Sequence, residues 1–315
     1  MEIPRPQFNE NLSDQLGCRV DVIDCSALPT GTHKILKAER AFTAVADDPR
    51  TPIMISSGNY ARAAQAVAEK LRRRVIIAMG ADGAQLGILG SEFVEIVDIA
   101  DLIAASDHRE LLHPNLSLAY NIYTGRRPVD NTTVNITNLA DIEDAEGFKR
   151  QRPTYGGIHT IGYGMVFCPN GSGELFYDLV SGHGATGTTQ FYGISPPLHP
   201  AVTGTENFDQ HPTHADKLAT PVYPILDSHF SDLINSRDGR HIHFSEITED
   251  EILATHAIAQ AASLNAEPSA SVGLACLVNS FRDRLGIVIK GSEKVLMVLT
   301  GNGDPAPYYS SDLSR

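Results

Sequence analysis

Short apolar runs alternate with longer stretches of helical period along most of the chain. Arg19–Asp24 (RVDVID) reads as a strand, and a Pro29-Thr30-Gly31 turn leads into a helix over His33–Val45. Pro52–Ser56 (PIMIS), Arg74–Met79 (RVIIAM) and Phe93–Val97 read as short buried strands, with an Ala-rich helix over Asn59–Leu71 between the first two. Further on, Gly164–Cys168 (GMVFC) predicts a strand, Asn170-Gly171-Ser172-Gly173 a turn, and the apolar residues after it a helix. Gln190–Ser195 is a short strand, and Lys294–Leu299 (KVLMVL) a late buried one. Thr248–Ala262 is an amphipathic helix, with Thr248 as N-cap and Glu251 three residues on, the capping-box pattern. A last helix is expected over Ser269–Arg282. Strands that are apolar throughout and alternate with helices imply a parallel sheet covered on both faces, hence an α/β fold. From about Asp107 to Thr160 the chain is polar, rich in Asn and Thr, and weakly periodic, and it supports no assignment.

Length and charge narrow the class. With 315 residues, 42% of them hydrophobic, the chain can build two domains or one large α/β unit. Its net charge of −13 disfavours nucleic acid and anionic membranes as partners. No apolar run approaches the roughly 18 residues needed to span a bilayer. The first ten residues lack the apolar core of a secretory signal. The four cysteines (Cys18, Cys25, Cys168, Cys276) fit neither a zinc motif nor a disulfide framework. A reducing, cytoplasmic location is therefore expected. Twelve histidines show no metal-ligand spacing, so no metal is expected.

Four segments carry candidate chemistry. Pro29-Thr30-Gly31-Thr32-His33-Lys34 places a lysine in the first turn of a helix. The positive helix N-terminus lowers its pKa, as a lysine that attacks an aldehyde requires. Lys37, one turn further on, is the competing candidate. Ser56-Ser57-Gly58-Asn59-Tyr60-Ala61 follows a strand and opens a helix, where backbone N–H groups hold a carboxylate or, equally well, where Ser and Asn simply cap. Asn170-Gly171-Ser172-Gly173-Glu174-Leu175 follows another strand and suits an anion such as phosphate, although it matches neither a dinucleotide fingerprint nor a Walker loop. Val298-Leu299-Thr300-Gly301-Asn302-Gly303-Asp304-Pro305 ends a strand on a hydroxyl residue and a glycine turn.

In this order, and with Ala266-Glu267-Pro268-Ser269 before the last helix, the segments resemble the tryptophan synthase β-like (fold type II) pyridoxal-phosphate enzymes. The resemblance runs from about Leu12 to Pro305. V-L-T-G-N-G-x-P and A-E-P resemble threonine synthase in particular, and T-G-T-H-K-I is similar to a stretch of the tryptophan synthase β subunit. The resemblance implies pyridoxal 5′-phosphate as cofactor, with Lys34 as Schiff-base lysine and carrier of the Cα proton. His33 would lie near the phosphate or beside the ring. Asn59 would bond the cofactor's 3′-oxygen. Asn170, Gly171, Ser172, Gly173, Glu174 and Leu175 would cradle its phosphate, and Thr300 would face the pyridine nitrogen. Ser56, Ser57 and Gly58 would hold the substrate carboxylate, with Tyr60 beside the substrate or packed in the core. It further implies two α/β domains with the cofactor between them, 1–40 with 145–315 and an inserted 41–144, in a homodimer.

A neutral hydroxyl at the pyridine nitrogen makes a weaker electron sink than an aspartate. It therefore favours β- or γ-elimination or replacement on a small amino acid over transamination. The expected activity is that of a lyase or synthase. The surroundings of Lys34 depart from the S-F-K-D-R-G of threonine synthases, since the acidic and arginine positions are absent. That departure motivates an alternative: a catalytically reduced homologue that serves as a binding or partner subunit.

Overall fold

The computed structural model describes residues 2–56, 58–79, 88, 90–98, 132–137, 155, 158, 160–182, 188–197, 213–218 and 241–302. Strands β1 (Gln7–Phe8), β2 (Arg19–Asp24), β3 (Thr51–Ile55), β4 (Val75–Met79), β5 (Val94–Asp98), β6 (Thr133–Asn135), β7 (Met165–Pro169), β8 (Gln190–Ser195), β9 (Ile242–Glu246) and β10 (Lys294–Leu299) form two sheets. One sheet has the order β1-β2-β10-β7-β8-β9 and the other β5-β4-β3-β6. Every pairing is parallel except that of β1 with β2. The strands of the smaller sheet come from 51–135, between the two stretches, 7–24 and 165–299, that supply the larger. Of the two expected domain boundaries, that at 144 and 145 lies outside the described residues and that at 40 and 41 falls within the helix Lys34–Ala44.

Helices α1 (Glu10–Leu16), α2 (Lys34–Ala44), α3 (Asn59–Leu71), α4 (Glu174–Ser181), α5 (Glu249–Ala261), α6 (Pro268–Ser271) and α7 (Asn279–Leu285) cover the sheets. The alternate residues of the larger sheet's strands divide between two cores. Ile23, Val166, Cys168, Leu296 and Val298 join the apolar faces of α2, α3 and α4 and the small-sheet residues Met54 and Ile77 in one core. Val20, Val22, Phe167, Val295, Met297 and Leu299 face the other way, onto Leu12 of α1, Ile252 of α5 and Phe281 of α7. All four cysteines are buried and unbridged.

The pattern-derived elements hold with shifts of a residue or so at their ends, except that β5, expected to be buried, is an edge strand exposed at Glu95, Ile96 and Asp98; the capping box at Thr248 and Glu251 is formed in both directions. The last helix does not hold as one piece. Ser269–Arg282 is broken into α6, a 3-10 run over Val272–Leu277, and α7. The cause is contact with β10: a Cβ on Gly273 would stand 2.0 Å from the Val298 carbonyl oxygen. The segment is wedged against the strand, buried from Val272 to Cys276, and wound more tightly than an α-helix. The pairs β1/β2 and β9/β8, and helix α1 with its Asn9 cap, add to the elements read from the pattern.

Candidate active site

Because β2, β10 and β7 run parallel and in register, their carboxyl ends lie side by side, with Leu299 opposite Asp24. The segments that follow them (25–33, 300–302 and 170–173) therefore meet at one edge of the sheet, where α/β proteins bind ligands. Two of these loops cross in close contact. Asn302 N donates to Gly31 O at 2.9 Å, and Thr32 bridges to Gly301. The crossing needs glycine on both sides. Gly31 has φ +66, and a Cβ at Gly301 would lie 2.7 Å from the Gly31 carbonyl oxygen. Thr300 O accepts from His33 N (3.0 Å), His33 Nδ1 (2.9 Å) and Thr32 Oγ1 (3.2 Å), which ties the start of α2 to the end of β10.

His33 is buried, and burial holds its pKa well below the usual range, with the nearby Lys34 pushing the same way. The ring is thus neutral. A carbonyl only accepts, so Nδ1 carries the proton and Nε2 is left as an acceptor. The ring leans on Tyr155, centroids 5.0 Å apart.

Lys34 is the first residue of α2 and keeps partial exposure. Its Nζ donates to Tyr155 Oη at 3.4 Å and lies 6.0 Å from the Tyr155 ring centre. Burial of the ammonium, aided by the charge of Lys37, brings its pKa down to about 8; Glu174 and Cys168 push the other way. The competing candidate is placed differently. Lys37 is fully buried, its Nζ 2.7 Å from Glu174 Oε2 and 4.4 Å from the centre of the Tyr60 ring. It is committed to an ion pair inside the protein, whereas Lys34 is only part-buried and its Nζ bonds a neutral hydroxyl.

The glycine loop is held on both sides. Asn170 N donates to Ile194 O at 2.7 Å, and its Nδ2 donates to Ser195 Oγ at 3.1 Å, while Ser195 Oγ donates to Asn170 O at 2.8 Å. Gly171 lies against the backbone of Leu218. Ser172 and Leu175 are buried, and Gly173 caps α4 with no side chain across the helix N-terminus. Glu174, in the first turn, gives Oε2 to Lys37, while Oε1 is buried without a hydrogen bond.

On the side of the smaller sheet, Ser56 N donates to Ala78 O at 3.1 Å, and Gly58 caps α3, again with no side-chain cap. Ser57 lies outside the described residues. Asn59 reaches across to the larger unit, where its Nδ2 donates to Glu267 Oε1 at 2.7 Å. Tyr60 turns inward, its hydroxyl donating to Ile136 O at 2.6 Å beneath Lys37. Its side chain is thereby engaged in packing, one of the two positions expected for it.

Tyr155, Glu267 and Lys217 join this neighbourhood without having been picked out as site residues. Tyr155 lies in the stretch without period, and no sequence signal marks it. Glu267 belongs to the A-E-P segment, a usable signal for place though not for contact. The aliphatic chain of Lys217 lies over Gly58, 3.4 Å from where a Cβ would be. Elsewhere, His243 stacks on Tyr192 (4.7 Å between ring centres, 19° between planes). Among the described residues no three His, Cys, Asp or Glu side chains gather as metal ligands. Among them, too, no helix is long and apolar enough to cross a membrane.

The arrangement of two largely parallel sheets, a part-buried lysine of lowered pKa and a helix without a side-chain cap behind a glycine loop matches a known class. The chain belongs to the pyridoxal-phosphate-dependent enzyme family, whose sequence model matches residues 8–301. Its cofactor is pyridoxal 5′-phosphate. Solved structures share the fold over nearly the whole length. Maize serine racemase superposes with a TM-score of 0.67 at 14% identity, covering 97% of this chain and 91% of that one. A threonine deaminase from T.th. gives 0.62 at 19%, covering 96% and 94%. A pyridoxal 5′-phosphate-dependent aspartate racemase gives 0.64 at 13%, covering 96% and 90%. No curated protein matches the sequence.

The residues present fit this cofactor. A phosphate dianion suits the open N-terminus of α4, an aldehyde suits the near-neutral amine of Lys34, and an amide N–H of Asn59 suits a phenolate oxygen. Glu174 is the discordant group, a carboxylate in the first turn of α4, where a phosphate would sit; Lys37 offsets its charge at 2.7 Å.

Proposed function

We propose that the protein is a lyase or synthase carrying out β- or γ-elimination or replacement on a small amino acid, with Lys34 as the catalytic residue. The observation that carries this reading is Lys34 itself: part-buried, outside the Lys37–Glu174 ion pair, one residue from the His33–Thr300 junction, and with a pKa of about 8. When bound, the cofactor draws electron density from the substrate's Cα and makes its hydrogen acidic. The Lys34 amine accepts that proton, with the Tyr155 hydroxyl 3.4 Å away to hydrogen-bond it. Ser56, Ser57 and Gly58, before the uncapped start of α3, hold the substrate carboxylate. Gly171, Ser172 and Gly173 hold the phosphate, and Asn59 and Thr300 contact the ring.

Thr300 follows β10 as a neutral side chain, and that favours reactions in which a leaving group drains the charge from Cα. Within this class the motifs point to threonine synthase. The fold neighbours include serine and aspartate racemases, a threonine deaminase and a hydrogen sulfide-producing enzyme of Fusobacterium nucleatum. Serine, threonine, O-acetylserine and O-phosphohomoserine are accordingly the substrates to assay. We further propose two domains (1–40 with 145–315, and 41–144) with the cofactor between them, a homodimer, and a cytoplasmic location.

The test is the absorbance spectrum of the protein and of Lys34→Ala, each incubated with pyridoxal 5′-phosphate and dialysed. A visible band in the first and not in the second is expected, followed by release of a keto acid or a replacement product from one of the four amino acids. A band in neither would overturn the enzyme reading and leave the catalytically reduced homologue.

A further inference from the structure

Glu267 lies 208 residues from Asn59 in sequence, yet their side chains meet at 2.7 Å. The carboxylate sits at the first residue before α6, and its own backbone N–H donates to Gly301 O at 3.2 Å, in the turn after β10. It therefore touches the two loops that flank the cofactor's ring in the reading above, on which this inference rests. An asparagine amide can face a neighbour with either its oxygen or its nitrogen. An ionised carboxylate only accepts, so it admits the NH2 group and excludes the oxygen. One N–H of Asn59 is thereby spent on Glu267, and the amide plane and its sense are settled, leaving the second N–H as a donor of known identity.

We propose that Glu267 is a positioning residue that orients the Asn59 amide, so that Asn59 presents an N–H, and never its oxygen, to the cofactor's phenolate oxygen. The groups around Glu267 agree with a carboxylate that is ionised in the working state but only just. Lys217 and Asp216 face it from the 3-10 turn over Asp216–Leu218, Arg62 faces it from α3, and Asn59 bonds it; burial outweighs the cations and raises its pKa to about 7. Lys217 is itself held by Asp216 at 2.6 Å. Below about pH 7 the protonated carboxyl both donates and accepts, and the two amide orientations become alternatives.

The test is the affinity of the purified protein for pyridoxal 5′-phosphate, read by the visible band, in wild type, Glu267→Gln, Asn59→Ala and the double variant between pH 6 and 9. A glutamine, like a protonated carboxyl, accepts either face of the amide. Glu267→Gln is therefore expected to bind about tenfold more weakly than wild type at pH 8 and to match it near pH 6. In the Asn59→Ala background the same substitution is expected to cost nothing further. Equal affinity of Glu267→Gln and wild type at pH 8, or the same loss in both backgrounds, would overturn the proposal. A wild type that forms no band at all would overturn the cofactor reading and this inference with it, so the two failures are told apart.

Discussion

Replacing Lys37 by methionine probes the charges that set the proton state of Lys34. The two lysines are three residues apart on α2 and share a face, so their Cβ atoms are about 5–6 Å apart. Two unit charges about 6 Å apart at an effective dielectric of about 20 repel by roughly 3 kcal/mol, or about 2 pH units. Glu174, 2.7 Å from Lys37, opposes most of that, so burial is the larger cause of a Lys34 pKa near 8. In Lys37→Met the repulsion goes and the Glu174 attraction stays; the Lys34 pKa should rise by about 1 unit or more. In Glu174→Gln the repulsion is unmasked, and it should fall. In the double variant the two charges leave together, and it should return close to 8. At pH 7 a lysine of pKa about 8 is about 9% neutral, against about 0.03% at the ordinary 10.5, so the amine's reactivity is highly sensitive to this shift. The assay is the pH dependence of the rate at which the apoprotein develops its visible band with pyridoxal 5′-phosphate. Each single variant breaks a buried pair at a cost of about 3–5 kcal/mol, so folding is checked first by circular dichroism. A midpoint that moves the same way in both single variants, or in neither, would refute the electrostatic reasoning.

Four further outcomes follow from the contacts described above. The folded-state pKa of Lys34 lies below its unfolded value, so the unfolded chain binds the extra proton and apoprotein stability should rise as pH climbs from about 8 to 10.5. Lys34→Met removes a buried charge and is expected to raise the apoprotein melting temperature at pH 7 by a few degrees; an unchanged or lower value in calorimetry would count against the burial of that ammonium. Thr300→Asp puts a carboxylate where the neutral hydroxyl stands, and it should lower kcat for elimination at least tenfold while increasing racemisation of recovered substrate, measured by chiral chromatography. Gly273→Ala drives a methyl into the Val298 carbonyl and should destabilise by about 3 kcal/mol or more in urea unfolding, with loss of soluble protein as the extreme case.

Much of this molecule was legible in one dimension because several of its strands are apolar runs and helix α5 is capped by short-range chemistry. RVDVID, PIMIS, RVIIAM and KVLMVL are buried on both faces, so their runs show without reference to a partner. The capping box at Thr248 and Glu251 is closed within three residues, and Lys34 follows the turns after β2. The order of lysine, S-x-G-N, glycine loop and late hydroxyl then suffices for the family. Other features depend on residues far apart in the chain. Which of Lys34 and Lys37 is tied up in a buried ion pair depends on Glu174, 137 residues from Lys37. The break in the last helix depends on the Val298 carbonyl, and the sense of the Asn59 amide on Glu267. Tyr155 comes to Lys34 from a stretch without period, because a single side-chain contact needs no repeat to place it. Local pattern determined which segments become strands and helices, since backbone hydrogen bonding and burial act within each segment. Only the tertiary structure decided which charges are paired and which are left to react, since that depends on contacts between segments that sequence order does not record.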